Sequence, residues 1–320
     1  MGVNASGTQK VDQLGNHVHI GSVVIGTAVT VTTSDRTASG IVLYREYPNA
    51  ASQSQHASTR TGSASIAGRR TMTGRPDRGP VQLFVTCIVD VFYPAVGRAV
   101  VRILEEQGFA VEFPQDQTCC GQPAFNTGHR TEAASMAEHT IRVLDATEGP
   151  IVVPSGSCAA MIVEHYEDLF AGDGDLRAAG YRVASRVHEF TQFLVDEIGL
   201  DGIESATTGT ATFHPSCHGL RHLGLGGYGE AVLDEAGIER CDLAGADECC
   251  GFGGLFALEM PEVSTSIMDV KLDNVTATGA DTLVGYDMSC LMHLSGGLRR
   301  RGSEIEIRHI AEVIAPEDGT

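Results

Sequence analysis

A cysteine pattern that occurs twice constrains this chain more than any other feature. Cys87 is followed at some distance by the adjacent pair Cys119 and Cys120, then by Gly121, and then by Cys158. Cys217 is followed at the same interval by the adjacent pair Cys249 and Cys250, then by Gly251, and then by Cys290. One constant offset relates the copies at the first three cysteines, and the offset is slightly longer at the last. Eight of the nine cysteines fall into this scheme, and Cys241 alone has no counterpart. A repeat this regular reads as a duplicated unit carrying a duplicated site. Four thiols per unit is the number that closes a tetrahedral metal site or holds an iron–sulfur cluster.

The compartment decides how such cysteines are read. No apolar run approaches the length of a membrane span, and the mildly apolar stretch 21–31 is short and lacks a basic stretch before it. A cytoplasmic protein with no membrane span is therefore expected, peripheral to a membrane only through partners. In a reducing cytosol, clustered cysteines serve more often as metal ligands or redox groups than as disulfides. Charge narrows the partners. Residues 1–80 hold 8 Lys and Arg against 4 Asp and Glu, whereas residues 81–320 hold 14 against 37. An acidic body of this kind repels a phosphate backbone, which argues against nucleic-acid binding. The basic run 299–301 reads as a solvated helix end.

Residues 1–80 are rich in Ser, Thr, Gly, Ala and Gln and contain no cysteine. They are expected to be a mostly disordered extension with short strands near 21–32 or 40–44, because the composition buries too little surface to offset chain entropy. From Val81 the pattern changes to alternating strands and helices. Strands are predicted at 81–86, 110–113 and 151–153, and helices from Pro94 to about Gly108 and around Ala133–Leu144. The second half repeats the scheme, with strands at 210–213, 281–285 and 304–308 and helices at 228–236 and 263–275. The expected fold is therefore α/β: two duplicated Rossmann-like units with parallel sheets, 81–205 and 206–320, related by approximate two-fold symmetry. Sites in such sheets gather beyond the carboxyl ends of the strands, where cysteines far apart in sequence can converge.

The neighbours of the cysteines fit this chemistry. Adjacent cysteines rarely bond to each other, but two side chains leaving one tight turn can reach neighbouring metal atoms of one site. Gly121, Gly251, Gly253 and Gly254 are expected to let the backbone approach a cofactor closely and to offer N–H groups to its sulfurs. The alternatives are inert buried thiols or structural zinc, although zinc sites usually carry two close C-x-x-C pairs, which are absent here. Cys241 reads as a structural bystander. His214, His218 and His222 lie around Cys217; capping or packing is their expected role, with proton movement the alternative. The run 224–229 fits G-x-G-x-x-G but follows no clear strand, so it reads as a loop before a helix.

Six segments carry a resemblance. They are Thr86-Cys87, Cys119-Cys120-Gly121-Gln122-Pro123-Ala124, Ser155-Gly156-Ser157-Cys158, His214-Pro215-Ser216-Cys217, Cys249-Cys250-Gly251-Phe252-Gly253-Gly254 and Ser289-Cys290-Leu291. Together they resemble the cysteine-rich CCG-domain proteins related to the B subunit of heterodisulfide reductase, and within these the LutA-like family of lactate-utilization iron–sulfur proteins. The likeness runs from about Val81 to Ala315. It implies an oxidoreductase subunit without stand-alone activity, which carries electrons in a multi-protein system oxidising L-lactate, a small 2-hydroxy acid, to pyruvate. It also implies two partners, a ferredoxin-like iron–sulfur subunit and a third lactate-utilization subunit. The broader family commonly places a further cysteine after the last of each repeat; here Met161 and His293 stand there. That departure implies a four-thiolate 4Fe-4S cluster in each repeat, with zinc at one site as an alternative; His293 reads as a satisfied or solvent-facing residue, with ligation the alternative. Two other readings stay open: a structural zinc-binding scaffold, and a thiol–disulfide oxidoreductase of the heterodisulfide-reductase type.

Overall fold

The structure is a computed structural model, and it describes residues 28–33, 36–41, 77–205 and 207–315. Strands β1 (Ala28–Thr33) and β2 (Arg36–Ile41) pair antiparallel, with Ala28 opposite Ile41. They belong to a unit separate from residues 77–315. The expected disorder of residues 1–80 falls largely on residues outside those described. At 28–33 and 36–41 the chain forms the antiparallel pair, and β1 overlaps the strand expected near 21–32, as the β-branched run at 29–33 favours.

The first cysteine-rich repeat contains β3 (Pro80–Leu83), α1 (Cys87–Phe92), α2 (Pro94–Glu106), β4 (Ala110–Glu112), α3 (Gln122–Asn126), α4 (Arg130–Asp145) and β5 (Ile151–Val153). It continues through α5 (Gly156–Ala160), α6 (Tyr166–Leu169), α7 (Gly174–Ala184), β6 (Val187–Glu189) and α8 (Phe190–Phe193). The second contains β7 (Thr210–His214), α9 (Cys217–Arg221), α10 (Tyr228–Glu235), β8 (Glu239–Arg240), α11 (Phe256–Glu259) and α12 (Pro261–Ala277). It ends with β9 (Thr282–Gly285), α13 (Met288–Arg300), β10 (Glu306–His309) and α14 (Ile310–Ile314).

The two sheets have the same plan. Their orders are β4-β3-β5-β6 and β8-β7-β9-β10, and every pairing is parallel. The expected α/β fold of two duplicated units is thus present. In each sheet the first strand lies between the second and the third, so the chain leaves the first strand to one side and the third to the other. That is a topological switch point, where open α/β sheets form their crevices. Cys87 follows β3 and Cys158 follows β5; Cys217 follows β7 and Cys290 follows β9. One cysteine from each side of the switch point is thereby delivered to the same crevice.

Strand side chains alternate between two apolar layers. Val81, Leu83 and Val152 face one layer, and Ile151 and Val153 face the other. The first layer is shared by both repeats. It joins Val100 and Leu104 of α2 and Phe190 and Phe193 of α8 to Phe213 of β7, Val232 and Leu233 of α10, and Ile310 and Val313 of α14. The pairs cross the repeat boundary symmetrically, with α14 packed on α2 and α10 on α8. The described residues from Asp77 onward accordingly form one compact unit. The other faces carry two further layers: Ile141, Leu144 and Tyr166 in the first repeat, and Met268, Leu272, Leu291 and Leu294 in the second, joined there by Val89 and Val96 of the first. No helix among the described residues is long and apolar enough to cross a membrane.

The 299–301 run closes α13 as expected. Arg301 pairs with Asp269 and Asp273 on α12, which places its charge at a helix end. The 224–229 run is a turn leading into α10, with no strand immediately before it.

Candidate metal centres

Each single cysteine sits in the first turn of a helix, set there by a polar cap. Thr86 caps α1, whose first residue is Cys87, and Ser216 caps α9, whose first residue is Cys217. Ser155 caps α5 by accepting from the Cys158 N–H at 3.3 Å, and Asp287 caps α13, which carries Cys290. Helix starts turn N–H groups and the positive end of the dipole toward the sulfurs.

The structure brings the four expected cysteines of each repeat together, and all nine cysteines are free thiols. Cys87 Sγ lies 3.7 Å from Cys119 Sγ. The Cys120 thiol lies close enough to Cys119 and Cys158 for both to act on its charge. In the second repeat Cys217 and Cys250 act on the charge of Cys249 in the same way, and the sulfurs of Cys250 and Cys290 lie within 4.8 Å of each other. Cys241 joins neither set; its N–H donates to the Ala211 carbonyl after β8, in keeping with a bystander. The second member of each pair and the last cysteine are buried, whereas Cys87, Cys119, Cys217 and Cys249 are half-buried. Both sets therefore keep one side nearer the surface.

Electrostatics are also duplicated. Cys119 is held well below the usual thiol range by bonds from Cys120 and Cys87, helped by the Gly121 N–H. Cys249 is lowered in the same way by Cys217, Cys250 and the Gly251 N–H. Donating to these thiolates, and burial, push Cys87, Cys120, Cys217 and Cys250 upward. Each set thus stabilises one thiolate by itself. Ionising all four requires a cation among them, which is what a thiolate-bound metal provides.

The glycines act mainly on backbone conformation. Gly121 (φ 86°) and Gly251 (φ 90°) donate their N–H to Cys119 Sγ at 3.5 Å and Cys249 Sγ at 3.3 Å. A Cβ at Gly121 would meet the Ala133 carbonyl oxygen at 3.1 Å, and one at Gly251 the Ser264 carbonyl oxygen at 2.5 Å. The close approach is therefore to α4 and α12, the helices behind each pair, while the N–H faces sulfur. Gly253 lies against Phe256 of its own repeat, and Gly254 against Pro123 of the first.

The two sets meet across the repeat boundary. Helix α5, with Cys158, packs on α9, with Cys217, and α1, with Cys87, packs on α13, with Cys290. A Cβ on Gly156 would fall 2.7 Å from Ser216 Oγ, so α5 and α9 approach at backbone distance. Asp287 ties the two helices that carry the last cysteines. Its Oδ1 accepts from Ser289 N–H at 3.1 Å within α13, and its Oδ2 accepts from Ser157 N–H at 2.8 Å and Ser155 Oγ–H at 3.2 Å in the first repeat.

Several neighbours break the symmetry. Lys271, fully buried on α12, donates from Nζ to the Gly245 carbonyl and to the Ala246 carbonyl at 3.3 Å, just before the Cys249 pair. His218 Nδ1 lies 3.6 Å from Cys217 Sγ, and its ring stacks on His222. His222 meets His165 of the first repeat edge-on, and His165 stacks on Phe125. His222 is the C-cap residue of α9, its N–H donating to the His218 carbonyl at 2.9 Å, and the stacking of the two rings is packing, so the expected capping or packing role holds for this pair. His293 Nε2 faces Ser264 Oγ at 3.4 Å. His214 ends β7 and is 2% exposed; its ring lies with Cys250 and Cys290, and its ligand nitrogen and their two sulfurs are mutually within 4.8 Å. Burial lowers its pKa to about 3, keeping the ring neutral.

Two equivalent parallel sheets, each delivering four free thiols to its switch point, define a duplicated cysteine-rich α/β protein. The profile of the cysteine-rich domain family, CCG, matches residues 81–163 and 211–295, one copy per repeat. The chain belongs to this cysteine-rich domain family. It is 43% identical over 235 residues to lactate utilization protein A of Shouchella clausii, covering 73% of this chain and 98% of that protein. It is 42% identical to a lactate utilization protein A 2 of Bacillus cereus over 236 residues, 73% of this chain and 97% of the relative. Among solved structures, a hypothetical protein from Helicobacter pylori is similar with a TM-score of 0.52 at 9% identity, over 77% of this chain and 51% of that one. At that identity the likeness is one of fold.

Proposed function

We propose that the chain is a cytoplasmic iron–sulfur subunit of a multi-protein system that oxidises L-lactate to pyruvate, with a ferredoxin-like subunit and a third subunit as partners. The observation that carries this reading is the convergence of two free four-thiol sets in a chain similar over 97–98% of their length to proteins called lactate utilization protein A. Cys87, Cys119, Cys120 and Cys158 would hold one centre, and Cys217, Cys249, Cys250 and Cys290 the other. An iron–sulfur cluster bound at such a set supplies one-electron redox chemistry, with 4Fe-4S the type suited to four thiolates. Oxidation of lactate to pyruvate releases two electrons and two protons. Two centres in one chain suit the division of that pair into single electrons.

The protein's own residues supply the rest. The helix starts at α1, α5, α9 and α13 and the N–H groups of Gly121 and Gly251 stabilise negative sulfur. Asp287 fixes the relative position of α5 and α13. The half-buried cysteines leave each set accessible from one side, as exchange with a partner requires. A second reading has one specific support: His214, Cys250 and Cys290 are compact enough for a single zinc ion. Metal and sulfide quantitation of anaerobically purified protein separates the two, since the zinc form is colourless.

Cys120→Ser and Cys250→Ser are each expected to remove about half of the bound iron and much of the visible absorption, whereas Cys241→Ser changes neither. Deleting the gene should abolish growth on L-lactate as sole carbon source in a strain with no second lactate dehydrogenase. Normal growth of that strain overturns the assignment. Rescue by the Cys120→Ser allele would keep the pathway but remove the first centre from it.

A further inference from the structure

We propose that His214 is a nitrogen ligand of the second metal centre, so that the two centres differ: thiolates alone in the first repeat, and thiolates with one imidazole in the second. The inference rests on the reading of the cysteine sets as metal centres and deepens it by naming a donor outside the cysteine pattern.

Three observations carry it. First, His214 is buried to 2% exposure, yet neither Nδ1 nor Nε2 has a hydrogen-bond partner. Buried polar side chains are otherwise nearly always bonded, so an imidazole with both nitrogens free calls for a partner that the protein atoms do not supply. With no carbonyl or carboxylate fixing the tautomer, either nitrogen can present its lone pair.

Second, the ring is placed among sulfurs. Its ligand nitrogen lies within 4.8 Å of both Cys250 Sγ and Cys290 Sγ, and these sulfurs are equally close to each other. Neutral imidazole and thiolate are the usual protein donors for zinc and are both found on iron–sulfur clusters. The other two histidines near this set have partners among the protein atoms: His293 Nε2 faces Ser264 Oγ, and His218 Nδ1 faces Cys217 Sγ at 3.6 Å while its ring stacks on His222.

Third, the first repeat provides an internal comparison. The register that carries Cys87 onto Cys217 carries Phe84 onto His214. Phe84 is fully buried in the layer that contains Cys120 and Cys158, the counterparts of Cys250 and Cys290. The same place at the end of the first strand is therefore filled by hydrocarbon in one repeat and by an imidazole in the other. A requirement of packing alone is met by phenylalanine there.

The test uses the full chain, loaded anaerobically with iron and sulfide and grown with 15N-histidine. Pulsed EPR of the reduced protein should show strong 15N hyperfine coupling. The coupling should remain in Cys120→Ser, which keeps only the second centre, and disappear in Cys250→Ser. It should also be lost in His214→Phe, which copies the first repeat, while the first centre's signal stays. A loaded second centre without imidazole coupling overturns the proposal, as does coupling that survives in His214→Phe. Should that variant not fold, His214→Gln, which offers no imidazole, carries the same comparison. A chain that takes up no iron would instead sink the cluster reading. His214 is then read with cobalt(II), whose ligand-field bands should shift on His214→Phe; unchanged bands overturn the ligation.

Discussion

Glu189 shows how one buried side chain sets a response of the whole protein to pH. It caps α8, with Oε2 accepting from Thr191 N–H at 2.7 Å and Gln192 N–H at 3.2 Å. The residue is fully buried and Oε1 has no partner. Burial raises its pKa from 4.5 to about 8, against the lowering effect of its hydrogen bonds. The folded protein therefore keeps a proton that the unfolded chain releases. Between pH 4.5 and about 8 the unfolded state binds fewer protons, so stability falls as pH rises, by about 1.4 kcal/mol per unit at most. Glu189→Gln keeps an acceptor for the two N–H groups and cannot ionise. Its melting temperature relative to the parent should rise steadily from pH 5 to pH 8. A constant difference across that range would show that Glu189 is ionised in the fold.

At the residue scale, the eight cysteines could be read from spacing alone because a duplicated motif is self-verifying. His214 could not. A lone histidine shortly before a cysteine reads as a cap or as packing, and only the burial of both ring nitrogens separates it from those roles. The signal was nevertheless present in the register: the repeat offset sets His214 against Phe84, a polar residue where its counterpart is apolar.

At the scale of elements, the strands that precede the single cysteines and the helices α2, α4, α10 and α12 were legible, whereas the helices that carry those cysteines, α1, α5, α9 and α13, were not predicted. Pro94 opens α2, the predicted strand at 151–153 is β5, and the predicted helix 228–236 is α10 within one residue. The helix α7 was also missed, as were β6, α8 and α14. The last three are short, and their apolar residues are spent on the other repeat: Phe190 and Phe193 join Val232 and Leu233, and Ile310 and Val313 join Val100 and Leu104. So short a periodicity cannot announce a partner in the other half of the chain. The cap of α13 is an element with a similar reach. Asp287→Asn keeps one carbonyl oxygen for Ser289 but turns an amide NH2 toward Ser157 N–H and Ser155 Oγ. One buried N–H then lacks its acceptor, a loss of about 1–3 kcal/mol. The urea midpoint should fall with the m-value unchanged, and iron content should fall at both centres because the carboxylate positions α5 and α13 together.

At the scale of the molecule, the two repeats are one folding unit although the sequence reads as two. The symmetry is legible in the cysteine spacing; the fusion is not, because it depends on which face of each sheet is shared. Residues 77–205 and 207–315 expressed separately should each lack a cooperative unfolding transition, since each would expose its half of the common layer. Two cooperative transitions matching those of the intact protein would contradict this. Truncation inside the layer should act on both halves: Phe213→Ala is expected to cost about 3–5 kcal/mol and to lower iron at both centres. The acidic charge from residue 81 onward, 14 basic against 37 acidic residues, bears on assembly. Docking to the proposed partners through a complementary basic surface should weaken as salt rises, chiefly through slower association, as surface plasmon resonance would record.

The hydrogen bond from Ser157 N–H to Asp287 Oδ2 also serves as a clock for the joint between the repeats. The amide belongs to one repeat and its acceptor to the other, and the carboxylate is 2% exposed. Fraying of α5 alone leaves that acceptor buried beside it. Deuterium can replace this proton freely only when the shared layer parts. Its exchange rate should therefore match the slowest amides of the central strands β3 and β7, and rise with them under urea. One backbone proton would then report how often the two halves come apart.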